Sequence, residues 1–386
     1  MSILGVICEF NPLHGGHVRL MEAAREKGAE GVVCVLSGNS VQRGSLALTD
    51  SYTRAAMALD AGADLVLELP YPWCSASAEG FAMGGVYVAS QFADGLIFGS
   101  ETGDLSHLSE AAKRADEPAF REEYREALRA GQPAAEAYYR LLSREGEALS
   151  SNDLLGIEYI RAARRLEVAL DFYTVKREGA AYSATEVPEG ELPSATALRV
   201  LLAREGAEAV LPYLPTAARP HFLSALSEGA IASEEGAAAA VLGWFRLHEG
   251  EDFEGIEGCE GGLAHRICAV AREATTMEEL FAGIRTKRYT DAHLRRVILY
   301  CLTGVRRGDL ATLPAYTTLL AANGRGREIL ATQRRKGGLP VVTKPADAPR
   351  DTLQYRLGSR LDALAALSYA TPRSADFMLK KSPLIR

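Results

Sequence analysis

Cysteine is scarce and never closely paired: Cys8, Cys34, Cys74, Cys259, Cys268 and Cys301 are the only six, with no Cys-x-x-Cys among them. That spacing excludes a zinc ribbon or a disulfide framework and predicts buried, reduced thiols. Long apolar runs are lacking too. None approaches the ~18 residues that cross a bilayer, and no secretory signal precedes Ile3, so a cytoplasmic protein is expected. The composition that remains, 47% hydrophobic and 24% charged residues in a chain of 386, is that of an ordinary globular protein with room for two or three cores.

Charge is unevenly spread. The net value is −7, yet residues 281–386 carry 20 Lys and Arg against 7 Asp and Glu, leaving 23 against 43 before them. A basic segment joined to an acidic part points to a polyanionic partner, because each cation that neutralises a phosphate releases counterions. A solvated, Arg-rich helical surface would give the same count.

Through the first half, short apolar runs alternate with helical stretches. Ile3–Cys8, Val32–Leu36, Leu65–Leu69 and Leu96–Phe98 read as buried strands, with helices near Val18–Glu26, Ser51–Asp60 and Ala78–Phe92. This is the pattern of an α/β fold with a parallel sheet, whose ligands lie beyond the carboxyl ends of the strands. The candidates are the turns after each run: Asn11 to His17, Ser37-Gly38-Asn39, Pro70 to Cys74 and Gly99-Ser100-Glu101.

The first turn, Glu9-Phe10-Asn11-Pro12-Leu13-His14-Gly15-Gly16-His17, is the richest. Its glycines let backbone approach a ligand, free N–H groups and the helix dipole favour anions, and imidazoles donate to phosphate oxygens. A nucleotide triphosphate suits it. A zinc site would need ligands beyond two histidines, and a Gly-rich turn with incidental histidines is the plainer alternative.

The second turn continues as the polar loop Ser37-Gly38-Asn39-Ser40-Val41-Gln42-Arg43-Gly44, ahead of a helix capped by Asp50. Arg43 could clamp a carboxylate or phosphate, or be an exposed loop cation. Glu68, Glu79 and Glu101 receive no catalytic role. Ser151 or Asn152 reads as the cap of a helix, Val168–Val175 as a further strand followed by Lys176-Arg177-Glu178-Gly179, and Pro193 to Arg199 as another helix start. Ser194, Thr196 and Arg199 there form either a second phosphate-binding turn or a plain cap.

After Leu211-Pro212-Tyr213-Leu214-Pro215 the chain turns Ala-rich and helical, which predicts domains over 1–215 and 216–386. Thr286-Lys287-Arg288-Tyr289-Thr290 leads into Leu294-Arg295-Arg296-Val297-Ile298-Leu299, a basic amphipathic helix. Its cations and aromatic suit phosphates and an unpaired base, and Asn323 to Arg327 and Arg334 to Lys336 would extend this surface if they fold near it.

These motifs resemble the HxGH nucleotidyltransferase superfamily and, within it, the bacterial tRNA(Met) cytidine acetate ligase family. The residues that carry the likeness run nearly the whole chain: Gly5 to His17, Leu36 to Gly44, Gly62 to Pro70, Phe98 to Glu101, Asn152 to Tyr159, Lys176-Arg177, Ser194 to Arg199 and Thr286 to Thr290. Gly15, Ser40 and Ser183 depart from the family pattern, the last two where they bear on the second-substrate pocket.

The resemblance implies a Rossmann-like catalytic domain followed by a mostly helical, basic region that binds tRNA. It further implies an enzyme that converts acetate and ATP to acetyl-adenylate and acetylates the wobble cytidine of elongator tRNA(Met). His14, His17 and Arg199 would be catalytic. ATP would be held by residues 7 to 20, that is Ile7, Cys8, Glu9, Phe10, Asn11, Pro12, Leu13, His14, Gly15, Gly16, His17, Val18, Arg19 and Leu20, with Gly99, Asn152, Arg177, Ser194, Thr196 and Arg199. Mg²⁺ would come with the ATP and no metal site of the protein's own is expected. Ser37, Gly38, Asn39, Gln42 and Arg43 would form the second-substrate loop, and Lys287, Arg288, Tyr289, Arg295 and Arg296 would meet tRNA. The alternatives are a small-molecule adenylyltransferase, against which the basic tail argues, and a non-catalytic RNA-binding factor, against which the retained histidines argue.

Overall fold

The computed structural model describes residues 2–143, 149–177 and 193–386. The four apolar runs form β1 (Ile3–Cys8), β2 (Gly31–Ser37), β3 (Leu65–Leu69) and β4 (Gly95–Ser100). They are continuous rather than alternating because helices cover both faces of the sheet. Within β2, Val33 and Val35 enter one core while Val32, Cys34 and Leu36 enter the other. β5 (Asp171–Lys176) begins at Asp171 rather than Val168, because Glu167 turns left-handed (φ 54°) and Val168 still closes the preceding helix by donating to Ala163.

β1, β2, β3, β4 and β5 are mutually parallel, in the spatial order β5-β4-β1-β2-β3. The sheet then draws on the far end of the chain. β6 (Thr317–Ala322) adds antiparallel beside β3, and β7 (Val341–Val342) and β8 (Leu384–Ile385) pair in parallel with β6. The expected division at 215 is therefore a change of composition and not a boundary of the sheet; residues 317–386 help to build the layer that residues 3–176 begin.

Helices start where the sequence offers caps. Gly15–Glu26 is capped by His14, Ser51–Asp60 by Asp50, Ala78–Ser90 by Ser77, Ala195–Glu205 by Ser194 and Asp291–Thr303 by Thr290. The cap of Ser151–Arg165 is Ser150, one residue before the expected Ser151 or Asn152, and it pairs reciprocally with Asp153. All six cysteines are free, five of them buried. No described helix is long and apolar enough to cross a membrane.

Candidate functional site

One cavity of about 750 Å³ opens at the carboxyl ends of β1, β4 and β5. The first turns of the helices beginning at Gly15, Ala78, Ser151, Ala195 and Asp291 reach its wall. Each such turn leaves backbone N–H groups without helical partners and carries the positive end of a helix dipole. Arg19, Arg43, Lys176, Arg177 and Arg296 line the same space. Converging helix starts and five cations make a receptor for a multiply charged anion.

The two histidines sit at its centre, and each has one ring nitrogen already committed. His14 Nδ1 accepts from Gly16 N at 3.1 Å, and His17 Nδ1 accepts from His14 N at 3.2 Å, a capping box built from imidazoles. A Cβ on Gly16 would stand 3.0 Å from His14 Cε1, so the glycine leaves room for the ring. The rings lie 3.8 Å apart between centroids, tilted by 33°. Burial, reinforced by Arg177, lowers the His14 pKa to about 3; burial, then His14 and Arg177, holds His17 well below its usual value. Both are neutral, and with Nδ1 accepting, the proton of each is at Nε2, ready to donate to phosphate oxygens.

The turn before them is held hard. Phe10 has a φ of 47°, rare for a bulky residue, and its buried ring meets the edge of His17 at 4.9 Å. Asn11 Oδ1 accepts from Leu48 N at 2.7 Å, while its buried Nδ2 has no partner among the described residues. Arg199 Nη1 donates to Asn11 O at 2.6 Å and Nη2 to Thr196 Oγ1 at 3.2 Å. Glu9, its carboxyl pKa raised by burial, accepts from Gln42 N at 2.7 Å.

A third group closes the β4–β5 end. Asn152 Nδ2 donates to Glu101 Oε1 at 2.6 Å, and Arg177 Nε lies 3.5 Å from the same carboxylate. Behind them Asp153 takes hydrogen bonds from Ser100, Thr102 and Ser150; burial alone would raise its pKa, but these donors outweigh it and lower it.

Of the residues expected at the nucleotide, Ile7, Cys8, Glu9, Phe10, Asn11, His14, Gly16, His17, Arg19, Leu20, Gly99, Asn152 and Arg177 line the cavity. Pro12, Leu13, Gly15, Val18, Ser194, Thr196 and Arg199 do not. Ser194 spends its hydroxyl on Ala197 N at 3.0 Å, and Pro193 and Ala195 face the space in its place. Arg199 braces the Asn11 turn from behind. Ser183 and the end of the Lys176-Arg177-Glu178-Gly179 stretch lie outside the described residues.

The second-substrate loop is split. Gln42 and Arg43 line the large cavity, whereas Gly38 and Asn39 line a separate pocket of about 70 Å³ with Glu68 and Asp362. Ser37 is fully buried and lines neither. Asn39 Nδ2 donates to Asp362 Oδ1 at 2.7 Å. The residue that sequence reasoning missed is Arg54, 1% exposed on the Ser51–Asp60 helix. Its guanidinium donates to Glu9 O at 2.7 Å, to Thr49 O at 3.0 Å and to Gly38 O, fixing the ends of β1 and β2 together. An arginine on an otherwise buried helical face was its only signal.

The basic segment also divides. Lys287 and Arg288 are exposed on a tight turn closed by Thr286 and Tyr289, beside the cavity mouth at Thr290 and Asp291. Tyr289 stacks flat on His293 at 4.8 Å, with Arg288 over its ring. Arg295 is taken up by Glu234 at 2.8 Å and by the Phe281 ring, and Arg296 is half-buried in the cavity wall. These two are not surface cations. Elsewhere some of the tail's cations pair with carboxylates of the first sixty residues: Lys381 with buried Asp50 and, at the surface, Arg386 with Asp60 and Arg325 with Glu30. The Asn323-capped helix (Gly324–Lys336) starts against Asp64, at the amino end of β3, so it does not extend the surface at the cavity mouth.

Comparison with known proteins gives the family. The family described as HIGH Nucleotidyl Transferase matches residues 1–379. The chain is 34% identical to the tRNA(Met) cytidine acetate ligase of Caldanaerobacter subterraneus subsp. tengcongensis over 90% of this chain and 89% of that one. It is 30% identical to the protein of the same name from Clostridium perfringens strain ATCC 13124, over the full length of both. Its fold superimposes on the crystal structure of apo Thermotoga maritima TmcAL with a TM-score of 0.91 at 29% identity, covering 100% and 99% of the two chains. The form of that protein bound with alpha-thio ATP gives 0.88 at 28% identity with the same coverage. Matched in sequence and in fold from end to end, the chain belongs to the tRNA(Met) cytidine acetate ligase family of HIGH nucleotidyl transferases.

Proposed function

We propose that the cavity binds ATP, activates acetate as acetyl-adenylate and passes the acetyl group to the exocyclic amine of the wobble cytidine of elongator tRNA(Met), giving N4-acetylcytidine. The observation that carries this reading is the imidazole capping box: two neutral histidines with Nε2–H donors turned to a cavity walled by helix starts. A carboxylate oxygen attacks the α-phosphorus while the bond to pyrophosphate breaks. No acid or base is needed for that step; charge stabilisation and alignment are. His14, His17 and the N–H groups of the Gly15 helix would hold the charge that builds on the phosphates. Asn152 and Arg177, fixed by Glu101, would hold the nucleoside end, and Arg199 keeps the Asn11 turn in place.

Mg²⁺ would neutralise the phosphates. Such an ion would be carried on phosphate oxygens. In the second step the cytidine amine attacks the acetyl carbonyl, the bond to AMP breaks and the amine loses a proton. Lys287 and Arg288 would meet the RNA backbone at the cavity mouth.

The test is direct. Protein, labelled acetate, ATP and total tRNA are incubated and the tRNA digested; label in N4-acetylcytidine is expected. Adenylate without labelled nucleoside would favour a small-molecule adenylyltransferase, and neither product would leave a binding protein.

A further inference from the structure

Arg296 was expected on an RNA-facing surface, and its actual surroundings are different. Its side chain is half-buried and lines the nucleotide cavity. Nη1 donates to Gln42 O at 3.2 Å, and Gln42 N in turn donates to Glu9. Gly44, at φ 82°, lies so close that a Cβ would be 2.5 Å from Arg296 N, which locks the helix onto the β2 loop. Among the described residues no carboxylate comes within ion-pair distance of this guanidinium, unlike its neighbour Arg295. Burial lowers its pKa, with only Tyr300 opposing. A half-buried cation answered by a single backbone carbonyl is placed to take an anion from the cavity it lines.

The layout of the edge says which anion. The nucleoside station (Gly99, Asn152, Arg177) lies at β4 and β5, and the phosphate station (Asn11 to His17) at β1. Arg296 stands at the third station, beside the loop that follows β2. In-line displacement needs the nucleophile opposite the leaving pyrophosphate, so the acyl substrate needs an anchor apart from the groups that hold the phosphates, and acetate offers one handle, its carboxylate. A guanidinium matches a carboxylate with two parallel donors.

We infer that Arg296 is the residue that binds the carboxylate of the acyl substrate and presents its oxygen to the α-phosphorus. The inference rests on the acetate-ligase reading and gives its second substrate a site. Gln42 O and the Gly44 contact fix the guanidinium in place before acetate arrives.

Acetate-dependent ATP–pyrophosphate exchange tests it, using the full chain as wild type, Arg296→Met and Arg296→Lys. Loss of a charge-assisted bond should raise the acetate KM by about 10- to 10²-fold in the Met variant, and less in the Lys variant, with the ATP KM and the salt dependence of tRNA binding unchanged. An ATP KM that rises as far as the acetate KM would make Arg296 a phosphate ligand. A weakened tRNA complex with an unchanged acetate KM would return it to RNA. Either overturns the inference. Should neither variant fold, wild-type protein decides: acetate with a non-hydrolysable ATP analogue should shield Arg296 from an arginine-selective dicarbonyl, read by peptide mass spectrometry. Equal shielding by the analogue alone, or none by acetate, overturns the role. Wild-type exchange that ignores acetate would instead overturn the substrate reading itself, while acetate-dependent exchange with unaltered variants sinks only Arg296.

Discussion

Two pockets open on one sheet edge with opposite electrostatics. The large one over β4, β1 and the β2 loop is lined by helix starts and by Arg19, Arg43, Lys176, Arg177 and Arg296. The small one, between the β2 loop, β3, β6 and the Leu353–Ser368 helix, holds Glu68 and Asp362, and burial together with Glu68 pushes the Asp362 carboxyl up to about 7. The Ser37–Gly44 loop borders both, so neighbouring residues of one polar stretch serve different ends. Gln42 and Arg43 line the large cavity, whereas Asn39 ties the loop to the far end of the chain. Polarity alone does not mark a substrate loop; the partner each side chain finds does.

The comparison breaks most sharply at His17. Replacing it by Ala should lower acetyl-adenylate formation by roughly 10²-fold or more, as expected for a donor to transferring charge. A wild-type rate in single turnover would mean that the large pocket's centre lies elsewhere. Next come Asn152→Ala and Arg177→Ala, which should each raise the ATP KM by about 10-fold with a smaller change in kcat; equal losses in kcat would move these residues from nucleotide binding to the reaction centre.

Smaller again is the paired change Lys287→Ala and Arg288→Ala. It should leave adenylate formation intact and flatten the plot of log tRNA affinity against log salt by about 0.7–0.9 per lost phosphate contact. An unchanged slope would make that turn a solvated face.

The small pocket should barely touch activity: Asp362→Asn is expected to acetylate tRNA within about 2-fold of wild type, its effect appearing in stability. The folded pKa of about 7 lies above the ordinary 3.8, so between these values the folded protein holds a proton that the unfolded chain has released. That contribution is complete below 3.8 and lost as pH rises through 7. Relative to wild type, the variant should therefore gain stability at pH 8, by roughly 1–3 kcal/mol in urea unfolding, and little near pH 4. A gain that did not depend on pH would show that the carboxyl is not strained by burial.

Much of the site was legible because its signals are local. Continuous apolar runs announced β1 to β4, and the histidine–glycine spacing announced a helix start, since capping needs only neighbours in sequence. Asp50 and Ser194 were legible as caps for the same reason, and Ser150 was missed by one position because Ser151 and Asn152 are equally good capping types.

What only the tertiary structure decided is long-range. Thr317–Ala322 lies in a region whose composition reads as Ala-rich and helical, and nothing near it in sequence says that β3 is its partner. Arg288 and Arg296 belong to one basic run, yet Arg288 is exposed at the cavity mouth while packing against Gly44 and Gln42 turns Arg296 into the cavity wall. Local spacing determined where helices and strands begin, because backbone donors and apolar periodicity are satisfied within a few residues. The role of each charge was left to the fold, because desolvation and partnership depend on side chains brought together from hundreds of residues apart.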